Sequence, residues 1–240
     1  MATSHAAIPG DERYDRLVDL GLSALLVLQG FTLFVAIPLG GGSMAGRMLL
    51  DACHLIFALI CIGVLTRHRL VQAGLFASLV VLVIGPVVGS RFGANLHLGS
   101  AAQHEAIALV AFAFNGGVTA VVARHVFAPG RVTVHRVRGA VLLYLNVAAL
   151  FAIAYGFLAM DIPGSFIASR IATSATNSPF GTAGFSYFSL TTITTTGYGD
   201  IVPVDPFARS LANLEAVIGQ LFPATLLTRL VSLHIAGGRE

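Results

Sequence analysis

Six apolar stretches, each close to the length that crosses a bilayer, limit this chain more than any other feature. A spanning helix needs about 20 mostly apolar residues, within a range of about 17–25. The stretches run approximately from Leu17 to Ile37, Met48 to Leu65, Leu70 to Val88, Ala106 to Ala123, Gly139 to Met160 and Leu211 to Val231. Sharp breaks separate them: Pro38-Leu39-Gly40-Gly41-Gly42-Ser43, Arg67-His68-Arg69, Gly89 to Ser100 and Arg124 to Arg138. Gly and Pro mark turns there, while Arg and His mark exits into water or headgroups. The 240 residues are 56% hydrophobic and only 10% charged, whereas a soluble domain carries about a quarter charged residues. One aqueous core cannot hide that excess, so the pattern predicts an all-α integral membrane protein.

Charge sets the orientation. All 14 basic residues are Arg. With six spans and an internal N-terminus, the inner side holds Arg13, Arg16, Arg67, Arg69, Arg124, Arg131, Arg136, Arg138, Arg229 and Arg239, and the outer side Arg47, Arg91, Arg170 and Arg209. Ten against four predicts a multi-pass protein of the cell membrane with both termini cytoplasmic. The pI near 9.2 has no basic run or aromatic platform behind it, so nucleic acid is not an expected partner. Asp11, Glu12, Arg13, Asp15 and Arg16 make the start of the chain unlike a cleavable signal peptide, and the first span is expected to be retained. Cys53 and Cys61 lie about 12 Å apart along a helix, too far for a disulfide.

The segment between the fifth and sixth spans differs from the rest. Asp161 to Asn177 is polar and rich in Ser and Thr, and reads as an extramembrane loop. Phe180 to Thr194 is moderately apolar and too short to span, as re-entrant segments are. It runs directly into Thr195-Thr196-Gly197-Tyr198-Gly199-Asp200, on the outer side of the membrane by the Arg count.

The run Ile193-Thr194-Thr195-Thr196-Gly197-Tyr198-Gly199-Asp200 resembles the selectivity filter of potassium channels, whose core is Thr-Val-Gly-Tyr-Gly. The flanking order of span, outer loop, short pore helix, filter and span is similar too, over about residues 139–235. The resemblance implies a homotetramer that conducts K+ passively, the ion being cargo and no cofactor being needed. It implies that Thr195, Thr196, Gly197, Tyr198 and Gly199 ligate K+ through rings of backbone carbonyls that replace its water shell. Pointing successive carbonyls at one axis takes a backbone of alternating hand, which Gly197 and Gly199 can adopt without a Cβ penalty. Thr195 is expected to add its hydroxyl at the inner end, and Tyr198 to pack behind the strand with its hydroxyl hydrogen-bonded.

Departures from the family pattern are specific. Thr196 replaces the usual Val or Ile; it is nearly isosteric with Val, and its side chain is expected to face away from the ion. Thr191 stands where some bacterial channels place a Glu behind the filter. Tyr187 and Phe188 replace the family's pair of Trp, and with Thr191 and Thr194 are expected to support the filter from the pore helix. Asp200 and Asp205 are expected at the outer mouth, where they raise local cation concentration, although Asp205 between Pro203 and Pro206 also reads as a solvated turn residue. Gly219 matches the family's glycine hinge, with Pro223 one turn on; it reads equally as a packing glycine where helices approach closely. Glu215 is an acid inside a span and hence a functional suspect, with Thr191 and Thr192 as expected hydrogen-bond partners.

The chain divides into a cytoplasmic segment 1–16, a four-span sensor-like part 17–123, an interfacial linker 124–138, a pore part 139–235 and a tail 236–240, with no dedicated cytoplasmic ligand-binding domain. In voltage-gated relatives the fourth span carries Arg at every third position. Here Ala106 to Ala123 has no basic residue, and gating charges worth about 2.3 kcal/mol each per 100 mV are missing, so steep voltage gating is not expected. The linker alternates apolar side chains with Arg and His, as a segment lying along membrane lipid headgroups does. Asp51 and His54 share a helix face. His54 and His104 raise a second reading, a haem- or metal-binding membrane redox protein. A third is a cation channel that discriminates poorly between K+ and Na+.

Overall fold

The computed structural model describes residues 9–40, 44–65, 69–92, 100–127, 134–169 and 180–237, and it is mostly helical. Helix α1 (Pro9–Phe31) passes through a π-helical turn (Thr32–Ala36) into α2 (Ile37–Gly40). Helix α3 (Met44–Ile60) ends in a second π turn (Cys61–Leu65), and α4 (Arg69–Phe92), α5 (Ser100–Val126) and α6 (Val134–Asp161) follow. After α6 come strand β1 (Phe166–Ala168), the short helix α7 (Thr182–Ile193), strand β2 (Ile201–Pro203) and the long helix α8 (Pro206–Gly237).

Three stretches among the described residues are long and apolar enough to cross a membrane: Leu20–Gly40, Leu109–Val126 and Arg136–Asp161. Shorter apolar helices cover Met48–Gly63 and Val71–Val81. Their outward faces are apolar, with Leu20, Val27, Phe34, Met48 and Leu109 all exposed, as the surface of a protein solvated by hydrocarbon has to be.

Three details differ from the sequence reading. The first helix does not break at Pro38 but runs through it to Gly40. Proline has no N–H to return to the carbonyl one turn back, and the π turn just before it absorbs the mismatch, the Ile37 N–H reaching back to the Thr32 carbonyl. Second, the fold is not purely helical: β1 and β2 pair antiparallel, with Phe166 opposite Pro203, Ile167 opposite Val202 and Ala168 opposite Ile201. That ladder ties part of the segment read as a simple polar loop to the residues that follow Gly199. Third, α5 continues to Val126 and α6 starts at Val134, so helix occupies both ends of the segment read as a linker, and residues 128–133 lie outside the described ones. His97 and the side chains of Glu105 and His104 also lie outside them. Cys53 and Cys61 are both buried free thiols.

Two cores share α6. Its first half (Ala140, Leu142, Leu143) packs with Leu25 of α1, Ala58 of α3, Leu75 of α4 and Val118 and Val122 of α5. Its second half (Ala152, Tyr155, Leu158) packs with Phe166 of β1, Phe185 and Phe188 of α7 and Ala208 of α8. The second core is an aromatic box. Tyr155 meets Phe188 edge-on at 4.9 Å and Phe166 at 5.7 Å, and Phe166 meets Phe185 at 5.0 Å. Edge-to-face pairs at such centroid distances are worth about 0.5–1.5 kcal/mol each beyond the area they bury. Phe185 is almost fully buried in this box. Phe185→Ala should therefore cost about 3–5 kcal/mol, read as a fall in the thermal midpoint of the purified protein; an unchanged midpoint would remove the box as the support of α7.

Candidate functional site

The site starts from an accounting problem at the end of α7. The last four carbonyls of a helix have no partner within it, and those of α7 belong to Leu190, Thr191, Thr192 and Ile193. The Leu190 carbonyl accepts from the Thr194 N–H at 3.2 Å and from the Thr194 hydroxyl at 2.6 Å. That of Thr191 accepts from two N–H groups, Thr196 at 2.8 Å and Gly197 at 3.1 Å. The Thr192 carbonyl accepts from the Thr195 N–H at 2.9 Å. The Ile193 carbonyl accepts from the Tyr144 hydroxyl of α6 at 2.8 Å. All four are satisfied, and three successive N–H groups of the Thr195–Gly199 strand are used to do it.

The backbone of that strand alternates in hand. Thr195, Gly197 and Gly199 have φ of 58°, 54° and 75°, while Thr196 and Tyr198 between them do not take positive values. Thr195 is the one non-glycine residue with positive φ among the described residues, a conformation that costs an L-residue about 1–2 kcal/mol. Alternation of this kind turns successive peptide groups the same way. With the N–H side facing α7, the carbonyl side faces out. Among the described residues, the carbonyls from Thr195 to Gly199 accept no hydrogen bond. A row of unpaired carbonyl oxygens on an exposed strand is an arrangement that can coordinate a hard cation.

The side chains around the strand divide into two sets. Thr194, whose hydroxyl proton goes to Leu190, accepts from the Thr196 hydroxyl at 3.0 Å. The Thr196 side chain is thus turned towards α7. Tyr187 stacks face to face on Tyr198, centroids 6.2 Å apart and planes 2° apart, and hydrogen-bonds to Asp200. Phe188 points the other way, into the aromatic box. The Tyr198 hydroxyl does not have the partner expected of it among the described residues of one subunit. The Thr191 hydroxyl bonds back to the Phe188 carbonyl at 3.0 Å, and so does that of Thr192 at 2.8 Å.

Those two threonines are therefore not the partners of Glu215, and the sequence expectation is corrected. Glu215 is fully buried on α8. It accepts from the Tyr155 hydroxyl of α6 at 2.5 Å and meets the Ser189 hydroxyl of α7. Ser189 also lies 2.7 Å from the Ala148 carbonyl, so one small polar cluster joins α6, α7 and α8 behind the strand. Asp200 accepts from the Ile201 N–H at 3.1 Å, and its carbonyl accepts from the Ser169 N–H at 2.7 Å. Asp205 caps the N-terminus of α8, its carboxylate accepting from the N–H groups of Phe207 at 2.8 Å and Ala208 at 3.2 Å. The Asp205-Pro206 pair has the form of a helix start, which accounts for this carboxylate in a structural role.

Gly219 is where α8 crosses the end of α7. A Cβ placed there would sit 1.9 Å from the Ile193 carbonyl oxygen, so no other residue fits without moving backbone. Pro223 lies one turn on, within a continuous helix. The sequence reading missed Tyr144, Tyr155, Ser189 and Gln220. Tyr144, Ala148 and Tyr155 recur on one face of α6 at helical spacing, and two tyrosines on one face of an apolar span are the signal that could have found them. Ser189 and Gln220 carry no such signal, because their roles depend on where a second helix crosses.

Two comparisons bear on the site. Residues 141–235 match a family model described as Ion channel. An 84-residue stretch is 38% identical to the inward rectifier potassium channel Kirbac3.1 of Paramagnetospirillum magnetotacticum, covering 33% of this chain and 23% of that protein. The chain thus spans about a quarter of that relative's length. No solved structure matches. The family-model match covers the strand, and together the two matches support a potassium channel family.

Two substitutions test the braces. Glu215→Gln keeps an acceptor for Tyr155 and a group that pairs with Ser189, and should leave the thermal midpoint close to wild type. Glu215→Leu leaves the buried Tyr155 hydroxyl unpaired, at about 1–3 kcal/mol, while Ser189 keeps the Ala148 carbonyl, and should lower it clearly; equal midpoints for the two would dismiss the cluster. Gly219→Ala should lower the midpoint as well, because its methyl group meets backbone rather than a side chain that can turn aside.

Proposed function

From a pore segment of the potassium channel family, we propose that the chain is one subunit of a tetrameric, potassium-selective channel, and so not an enzyme. K+ is the cargo, carried passively between carbonyl oxygens of Thr195, Thr196, Gly197, Tyr198 and Gly199. One observation carries the reading: a strand of alternating hand that spends its first three N–H groups on α7 and leaves its carbonyls unpaired. One subunit offers one column of oxygens, and a dehydrated ion needs a cage, which four copies about one axis complete. The exposed Leu214, Val217 and Leu221 recur along one stripe of α8, a face that suits the lining or neighbour contacts of such an assembly. The orientation of Thr196 towards Thr194 keeps its hydroxyl out of the ion's path, which favours selectivity over the poorly discriminating alternative.

On this reading six helices (α1–α2, α3, α4, α5, α6 and α8) cross the cell membrane, α7 enters from the outside and both termini are cytoplasmic. The first four pack beside the pore pair without gating arginines, and membrane lipid contacts the exposed apolar faces. Asp200 faces the outer entrance. Gating is assigned to bending of α8 at Gly219–Pro223: Pro223 has no N–H for the Gly219 carbonyl, so the helix is weakest in that turn, just beyond its contact with Ile193.

Reconstituted into bilayers under mixed K+ and Na+ gradients, the protein should show a reversal potential that follows the K+ gradient. A reversal potential indifferent to K+ would overturn the proposal. Gly197→Ala and Gly199→Ala should abolish selective flux, since each forces a Cβ into left-handed backbone in all four subunits at about 1–2 kcal/mol apiece.

A further inference from the structure

Among the threonines of the strand, Thr195 stands apart. Thr194 and Thr196 are tied to α7, directly and through each other. The Thr195 hydroxyl is instead tied to α8, where it accepts a hydrogen bond from the Gln220 side-chain amide at 2.9 Å. Gln220 does not reach it by chance of rotamer alone. Its turn of α8 is held on both sides: Gly219 lies against the Ile193 carbonyl, and the Phe222 ring packs 5.7 Å from that of Tyr144, whose hydroxyl bonds the same carbonyl. The backbone bearing Gln220 is therefore at a set distance from the inner end of the strand.

We propose that Gln220 is a positioning residue for the innermost ion site, acting through the Thr195 hydroxyl; this rests on the channel reading above and extends it to a residue on another helix. A threonine hydroxyl has one proton and two lone pairs. The Gln220 amide donates into one lone pair and holds the Oγ1 rotor, leaving the other lone pair for a cation. Four subunits would then offer four oriented hydroxyl oxygens below the lowest carbonyl ring. The bond also gives Thr195 a fixed anchor in a backbone conformation that threonine seldom adopts (φ 58°). Without the amide, the hydroxyl turns freely among the water at the inner end and its oxygen is no longer preorganised for an ion.

The test uses the protein in detergent and Ba2+, an ion of nearly the size of K+ with twice the charge. Ba2+-induced thermal stabilisation yields an apparent Kd without requiring that a variant conduct. Gln220→Met keeps length and bulk but removes the donor; Gln220→Asn keeps a donor that stops one methylene short. Both should weaken Ba2+ binding at least about tenfold, since one net hydrogen bond is worth nearly that factor and each variant removes the bond from all four subunits. In a Thr195→Val background, which has no hydroxyl to hold, Gln220→Met should change the Kd less than about twofold, because coupled residues are not additive. A merely structural glutamine would produce the same loss in either background, and that result would overturn the proposal. So would wild-type affinity in both single variants. If wild-type protein shows neither Ba2+ stabilisation nor K+ flux, the channel reading itself fails, which is a separate outcome from a conducting wild type with indifferent Gln220 variants.

Discussion

The arrangement depends on how one short helix ends. The four terminal carbonyls of α7 need donors, and the strand that follows supplies them by folding its N–H groups back over the helix end. A backbone cannot turn its N–H groups to one side over successive residues and remain an ordinary strand; it has to alternate in hand, as Thr195, Gly197 and Gly199 do. The unpaired carbonyls on the opposite side follow from that geometry. Capping a helix and exposing a column of oxygens are here the same structural act. Irregular backbone of this kind survives at membrane depth only where protein buries it or where it borders water, so the strand also dictates what must surround it.

What surrounds it is mostly α6 and α8. Tyr144 closes the last carbonyl of α7, and Tyr155 and Ser189 meet Glu215 on the far side of the same helix. A buried carboxyl group with partners from two other helices is costly to separate from them, so the three helices are held in one relative position. The aromatic box of Tyr155, Phe166, Phe185 and Phe188 fills the space between them. Tyr155 belongs to both systems, its ring to the box and its hydroxyl to the acid. Helix α6 joins the two cores, since its N-terminal half lies in the core of the first four helices, where Phe222 and Leu226 of α8 also pack.

Several features were legible only in part. The short strand ladder lies in a segment whose composition is that of a plain loop, and three residues per strand leave no periodicity to detect. The π turn before Pro38 is a backbone response to a missing amide, which a reading of side chains places as a break. Asp205 shows both a charge and a helix start in the sequence, and geometry decides for the cap. For Glu215 the need for a partner was plain from its place in an apolar span, but which hydroxyl it meets depends on the crossing of α8 over α7. Thr191 and Thr192 spend their hydroxyls on their own helix, and Ser189 receives the acid instead.

The amino-acid sequence by itself pointed to the membrane as solvent, to the order of the helices and to the stretch that holds the candidate site. Apolar runs of spanning length settle the first by composition, and Gly-Tyr-Gly after a half-length helix marks the last, because glycine reverses hand without the Cβ penalty that Thr195 meets in doing so. Tertiary structure decided which groups hold that strand in place. Tyr144, Ser189, Gln220 and the close approach at Gly219 bring together positions 25 or more residues apart along the chain. Such contacts depend on the angle and depth at which helices cross, which local periodicity does not encode.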